Sequence, residues 1–213
     1  MRLRRKAWIG EAIKEYSDLV ILLQSGNAYQ GRWREILGRD APLHVELGTG
    51  RGTFITDLAA LHRSTNFIGM EAVPDVLYNA AQKAQFRELN NLKLLLADVN
   101  NILDIFAPGE VNRLYINFCD PWPKRRHAKR RLTHAGFLAK YKVILALGGE
   151  LFFKTDNIKL FEFSLNQFAD MGLSLGNITF DLHNSSYEGN IMTEYEAKFS
   201  ALGQPIYRCE VRF

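Results

Sequence analysis

Cysteine is scarce: the 213-residue chain has two, Cys119 and Cys209, each inside an apolar stretch that reads as a buried strand. A disulfide framework and a cysteine-based zinc site are therefore unsupported, and both thiols are expected to serve as small core hydrophobes. His44, His62, His134 and His183 show no paired ligand spacing, so no metal is expected. No apolar run approaches the roughly eighteen residues of a membrane span, and no apolar segment with a small-residue cleavage site follows the charged start. The corresponding expectations are no membrane association and a cytoplasmic location. Repeats, low-complexity segments and Pro-, Gly- or Ser-rich linkers are also lacking. With 47% hydrophobic and 23% charged residues, residues 1–213 read as one globular domain, in which residues 1–40 form a basic arm and covering helices.

Positive charge is abundant but local. Lys124, Arg125, Arg126, Lys129, Arg130 and Arg131 place six cations in eight residues, and Arg2, Arg4, Arg5 and Lys6 add four more. With those ten cations in two short segments, a formal net charge of +4 leaves the rest of the chain at −6. Such concentration is the footprint of a polyanion partner, although a run of this kind is more often a solvated face. Its position favours the partner. The block leaves the apolar run LYINFC through Asp120 and Pro121-Trp122-Pro123, and ligands of open α/β sheets sit at strand ends.

Apolar, β-branched runs alternate with helical patterns, as expected of a mostly parallel sheet covered by helices on both faces. The spacing predicts strands over 43–47, 66–70, 92–96, 113–119 and 149–153, and helices over 52–62, 74–89, 133–147 and 157–171. Two further strands are expected in 173–182 and 205–212, with a turn-rich segment between them. An antiparallel pair at the end of the sheet resembles the seven-stranded, Rossmann-like arrangement of class I methyltransferases.

The first strand turns through Glu46-Leu47-Gly48-Thr49-Gly50-Arg51-Gly52. Glycines here permit a tight turn and close backbone approach to a ligand, next to the free N–H groups of a helix start. The third glycine of a dinucleotide G-x-G-x-x-G would fall on Thr53, which argues against NAD. Glu71 ends the second strand, where a carboxylate can accept the two hydroxyls of an adenosine ribose. Asp98 ends the third, suitably placed for an adenine amino group. Together with the glycine turn, these acids point to an adenosyl cofactor, S-adenosylmethionine, with Glu46 tolerable near its charged end. Each acid taken alone is also explained as a helix cap or salt bridge.

ELGTGRG, DPWPKRRHAKRRL, FKTDN and MTEYEAKFSALGQPIYR, in this order, resemble the tRNA (guanine-N7)-methyltransferase family over nearly the whole chain. The resemblance implies methylation of a guanine in the tRNA variable loop. It implies Glu46, Gly48, Gly50, Glu71, Asp98 and Asp120 as cofactor-site residues, with Asp120 also catalytic. Lys124, Asp156, Thr193, Glu194, Tyr195 and Glu196 become substrate contacts, and Arg126, His127, Lys129, Arg130 and Arg131 become RNA contacts. Cys119 stands where many members carry serine.

Several alternatives stay open at this level. Thr193 with Glu196 fits an S/T-x-x-E capping box as well as a ligand contact, and Trp122 either stacks on a base or only stiffens its turn. A methyltransferase for another substrate and a catalytically silent RNA-binding module remain rivals. Net charge leaves the oligomeric state open, a homodimer included.

Overall fold

The computed structural model describes residues 8–23 and 29–213; the basic segment Arg2–Lys6 lies outside them. Eight strands form one sheet: β1 (Val20–Leu22), β2 (Leu43–Leu47), β3 (Asn66–Glu71), β4 (Leu92–Leu96), β5 (Val111–Asn117), β6 (Leu145–Thr155), β7 (Ser174–Thr179) and β8 (Tyr207–Arg212). Their spatial order is β1-β4-β3-β2-β5-β6-β8-β7. All neighbours are parallel except β8, which runs antiparallel to both β6 and β7. Seven strands match the expectation; the eighth, β1, extends the sheet beyond β4 and is too short to stand out as a pattern.

The helices are α1 (Ile9–Ala12), α2 (Trp33–Ile36), α3 (Thr53–Leu61), α4 (Pro74–Phe86), α5 (Ile102–Ile105), α6 (Ala135–Ile144), α7 (Ile158–Asp170) and α8 (Glu194–Ser200). Two apolar clusters flank the sheet. One joins α2, α5, α6 and α7 to the strands, and the other joins α3 and α4 to them. Central strands packed on both faces need continuous apolar sequence, and the first five residues of β3, Asn66 to Met70, are all buried. Trp33 is fully buried, with its indole N–H donating to the Ile105 carbonyl at 2.9 Å. It belongs to the core, so the N-terminal region does more than cover a sheet edge.

Strand and helix ends depart from the pattern in ways that shape the site. β5 stops at Asn117 because Phe118 adopts φ 52°, a left-handed conformation that breaks the ladder. Phe118 to Asp120 therefore form an exit loop rather than a strand end. Asp98 lies two residues beyond β4 and caps a short 3-10 helix, Val99–Asn101. β6 begins at Leu145, earlier than the spacing suggests, and absorbs a register shift opposite β5.

Candidate active site

The carboxyl ends of β2, β3, β4 and β5 open on a cleft with two lobes that meet at Gly48. Gly48, Glu71, Asp98, Asp120, Trp122, Lys129 and Arg130 contribute to the first lobe. Glu46, the Gly48–Thr53 turn, Asn117 and Phe118 face Thr193, Glu194, Tyr195, Lys198 and Phe199 across the second.

The glycine turn is built by three left-handed residues, Gly48 (φ 79°), Gly50 (φ 57°) and Gly52 (φ 80°). Gly48 and Thr49 donate their N–H groups to the Met70 carbonyl, at 2.9 and 2.8 Å, which folds the turn back on β3. A Cβ on Gly48 or Gly50 would project into open space, as a cradle for a ligand requires, whereas one on Gly52 would meet the Ala80 Cβ at 2.6 Å. The last glycine thus serves the contact between α3 and α4.

Glu71 takes the Gly50 N–H at 3.1 Å on one carboxylate oxygen and the Ala72 and Val73 N–H groups, at 2.9 and 3.0 Å, on the other. Asp98 Oδ1 accepts from the backbone and side chain of Asn100, at 2.8 and 2.9 Å. The Asp98 Oδ2 makes no hydrogen bond among the described residues, and two acceptor carboxylates in one lobe suit the hydroxyl and amino donors of an adenosyl group. Open glycines and these acceptors fit S-adenosylmethionine. Among the described residues, no cluster of three or more His, Cys, Asp or Glu side chains could hold a metal ion.

Glu46 is 2% exposed. Thr49 Oγ1 donates to one of its oxygens at 2.6 Å and Asn117 Nδ2 to the other at 2.8 Å. Burial pushes its carboxyl up to about 7, against the pull of those bonds and of nearby Lys154. Cys119 beside Asp120 is pushed up to about 12, chiefly by burial, which removes it as a nucleophile.

The cationic block divides. Arg125–Arg130 form a 3-10 helix, from which Lys129 and Arg130 reach the lobe holding Asp120. The Arg130 guanidinium lies 4.8 Å from the Trp122 ring centre, and His127 packs edge-on against the same ring at 5.7 Å. Trp122 therefore organises its turn and also lines the lobe. Lys124 and Arg126 are exposed and outside the cleft wall. Arg131 turns inward, donating to the Pro121 and Trp122 carbonyls, each at 3.1 Å, and lying 4.3 Å from the Phe163 ring centre. It braces the exit loop.

The segment 193–196 also divides. The capping box is present, with Glu196 N–H donating to Thr193 Oγ1 at 2.9 Å. Thr193, Glu194 and Tyr195 line the cleft, and Glu194 pairs with Lys83 while accepting from Thr53 Oγ1 at 3.0 Å. Tyr195 donates its hydroxyl to Asp156 at 2.9 Å. Glu196 points elsewhere: fully buried, it meets Lys154 Nζ at 2.6 Å, Asn190 Nδ2 at 2.6 Å and His183 Nε2 at 3.2 Å. Lys154, Asn117 and Phe118 were not among the expected site residues. A lysine within the apolar run LFFKT was the available sign of a buried, paired charge.

The profile of a family described as "Putative methyltransferase" matches residues 40–209. The tRNA (guanine-N(7)-)-methyltransferase of Halalkalibacterium halodurans is 53% identical over 213 residues, covering 100% of this chain and 96% of the relative. That of Bacillus subtilis is 50% identical, covering 100% and 99%. This chain belongs to the tRNA (guanine-N7)-methyltransferase family. The 16S rRNA methyltransferase KamB shares the fold with a TM-score of 0.65 at 12% identity, over 87% of this chain and 94% of that one. A structure titled as an antibiotic-related methyltransferase does so with a TM-score of 0.61 at 19% identity, over 84% and 90%. Class I methyltransferase architecture is thus shared well beyond the family.

Proposed function

We propose that the protein transfers a methyl group from S-adenosylmethionine to N7 of a guanine in the variable loop of tRNA. The observation that carries this reading is the wall shared by Glu71, Asp98, Asp120, Lys129 and Arg130. Acceptors suited to an adenosyl group and cations suited to a phosphate backbone border a single cleft. Family membership supports the same substrate. A tRNA substrate implies work in the cytoplasm, and no helix among the described residues is long and apolar enough to cross a membrane.

Glu46, Gly48, Gly50, Glu71 and Asp98 would hold the donor, which when bound supplies an electrophilic methyl on a sulfonium. Guanine N7 already carries an in-plane lone pair, so the protein needs no base to deprotonate it and no metal to activate it. What the chain must do is align the partners, a contribution on the order of 7 to 11 kcal/mol in well-oriented reactions, and stabilise the positive charge that develops on the purine. Asp120 suits the second of these roles, because its exposed carboxylate makes no hydrogen bond or salt bridge among the described residues. An anion aimed at developing positive charge attracts the transition state more than the ground state.

The deciding assay incubates the protein with unmodified tRNA and methyl-labelled donor, then cleaves the RNA at 7-methylguanine. Label released with cleavage at a variable-loop guanine is the expected result. Label without such cleavage would point to another target atom, and tRNA binding without any transfer to a silent RNA-binding module.

Three further results are expected. Replacing Lys129 and Arg130 together by alanine should flatten the salt dependence of tRNA affinity by about one to two units of slope. Arg131→Ala should instead cost about 2 kcal/mol of stability, because it orphans two backbone acceptors. The third result concerns pH. Glu46, at about 7, is mostly neutral below that value and a carboxylate above it. Affinity for the cationic donor should therefore strengthen as pH rises through 7, and calorimetry on Glu46→Gln should show that dependence lost.

A further inference from the structure

Three aromatic rings crowd one end of the cleft without closing into the core. Phe118 and Tyr195 have ring centres 5.0 Å apart at 38°, and Tyr195 and Phe199 are 4.2 Å apart at 32°. All three line the second lobe, facing the glycine turn, and Tyr195 is 42% exposed. Their placement is enforced from several sides. Phe118 is held in a left-handed backbone conformation that a bulky residue rarely adopts, strain that surrounding structure must sustain. The Tyr195 hydroxyl is tied to Asp156, the capping box fixes the start of α8, and the Glu194–Lys83 pair anchors the residue before it.

We propose that Phe118, Tyr195 and Phe199 form the stacking surface on which the target guanine rests during transfer. This rests on the function proposed above and adds two residues, Phe118 and Phe199, to the substrate site. The chemistry of the lobe selects a planar base as the occupant. The aliphatic, charged amino-acid end of the donor is matched by the Glu46 carboxylate on the same lobe, and has no use for an aromatic wall. A purine has two π-faces to cover, and base–aromatic stacking is a substantial source of affinity. Phe118 stands two residues before Asp120, so the exit loop of β5 places a ring and a carboxylate on adjoining lobes of one cleft. Alkylation at N7 makes the purine cationic, and aromatic faces attract cations. The surface therefore binds the transition state more tightly than the ground state and contributes to kcat as well as to KM.

The test measures steady-state kinetics on tRNA for Phe118→Leu, Phe199→Leu and Phe118→Tyr, with donor affinity by calorimetry and Tm for each. Leucine keeps apolar volume and removes the π-face. Each leucine variant is expected to lose about five- to a hundredfold in kcat/KM, part of it in kcat, with donor affinity and Tm unchanged. Phe118→Tyr should retain most activity. The proposal is overturned if the leucine variants keep wild-type kcat/KM, if donor affinity falls in parallel, or if tyrosine is as damaging as leucine. If Phe118→Leu does not fold, Phe199→Leu on α8 decides by the same criteria. Failure of the wild-type protein to make 7-methylguanine would sink the function itself; normal product with indifferent leucine variants sinks only the stacking surface.

Discussion

Replacing Asp120 by asparagine is expected to lower the rate of methyl transfer on saturating tRNA by about 10²- to 10³-fold, the usual consequence of removing one preorganised electrostatic group from a reacting centre. Asparagine preserves the shape of the side chain and removes its charge, so binding of the neutral purine changes little. The charge matters once the ring becomes cationic, which places the loss in kcat and equally in kcat/KM. Single-turnover measurements at saturating donor and tRNA check this. A variant within a few-fold of wild type would show that the positive ring is stabilised elsewhere, with Asp156 the next carboxylate to replace.

The second large effect is expected at the buried pair joining β6 to the substrate segment. Lys154 is 5% exposed and donates to Glu196 at 2.6 Å, to the Ile191 carbonyl at 2.9 Å and to Asn190 Oδ1 at 3.1 Å. Burial pushes the lysine's pKa down, and its attraction to Glu196 opposes that shift. Lys154→Met leaves a buried carboxylate without its cation, at a cost of about 3 to 5 kcal/mol. For a chain of this size that corresponds to a fall in Tm of about 6 to 20 °C. Glu196→Gln should also destabilise. Combining Lys154→Met with Glu196→Leu should recover part of the loss, since neither charge is then stranded. Equal Tm for wild type and Lys154→Met would show that the pair is hydrated and adds nothing.

Most of the architecture was legible because burial on both faces of a parallel sheet forces long apolar runs such as HVEL, NFIGM and LKLLL. Helix placement followed from what lay between them. The cleft positions of three carboxylates were equally legible, since Glu46 lies within such a run, Glu71 ends one and Asp98 follows one. Less visible were backbone choices made by the three-dimensional context. Nothing in Phe118 announces a left-handed residue, so β5 was read two residues too long. Arg131 looked like its cationic neighbours. The prolines at 121 and 123 cannot donate to a ladder, which leaves carbonyls of the exit loop in need of a donor, and Arg131 supplies it. Glu196 looked like part of an exposed substrate motif, whereas its partner Lys154 lay forty-two residues away in the chain. Pairings at that separation leave no periodic trace.

The close approach of Gly52 to Ala80 carries a constraint on a position remote from any chemistry. A methyl group is the most that α4 can offer at residue 80 while α3 begins where it does. Valine there would wedge the two helices apart and carry the Gly48–Gly50 backbone with them. Tolerance at residue 80 is thus set by the shape of the glycine turn, although no atom of that side chain lines the cleft.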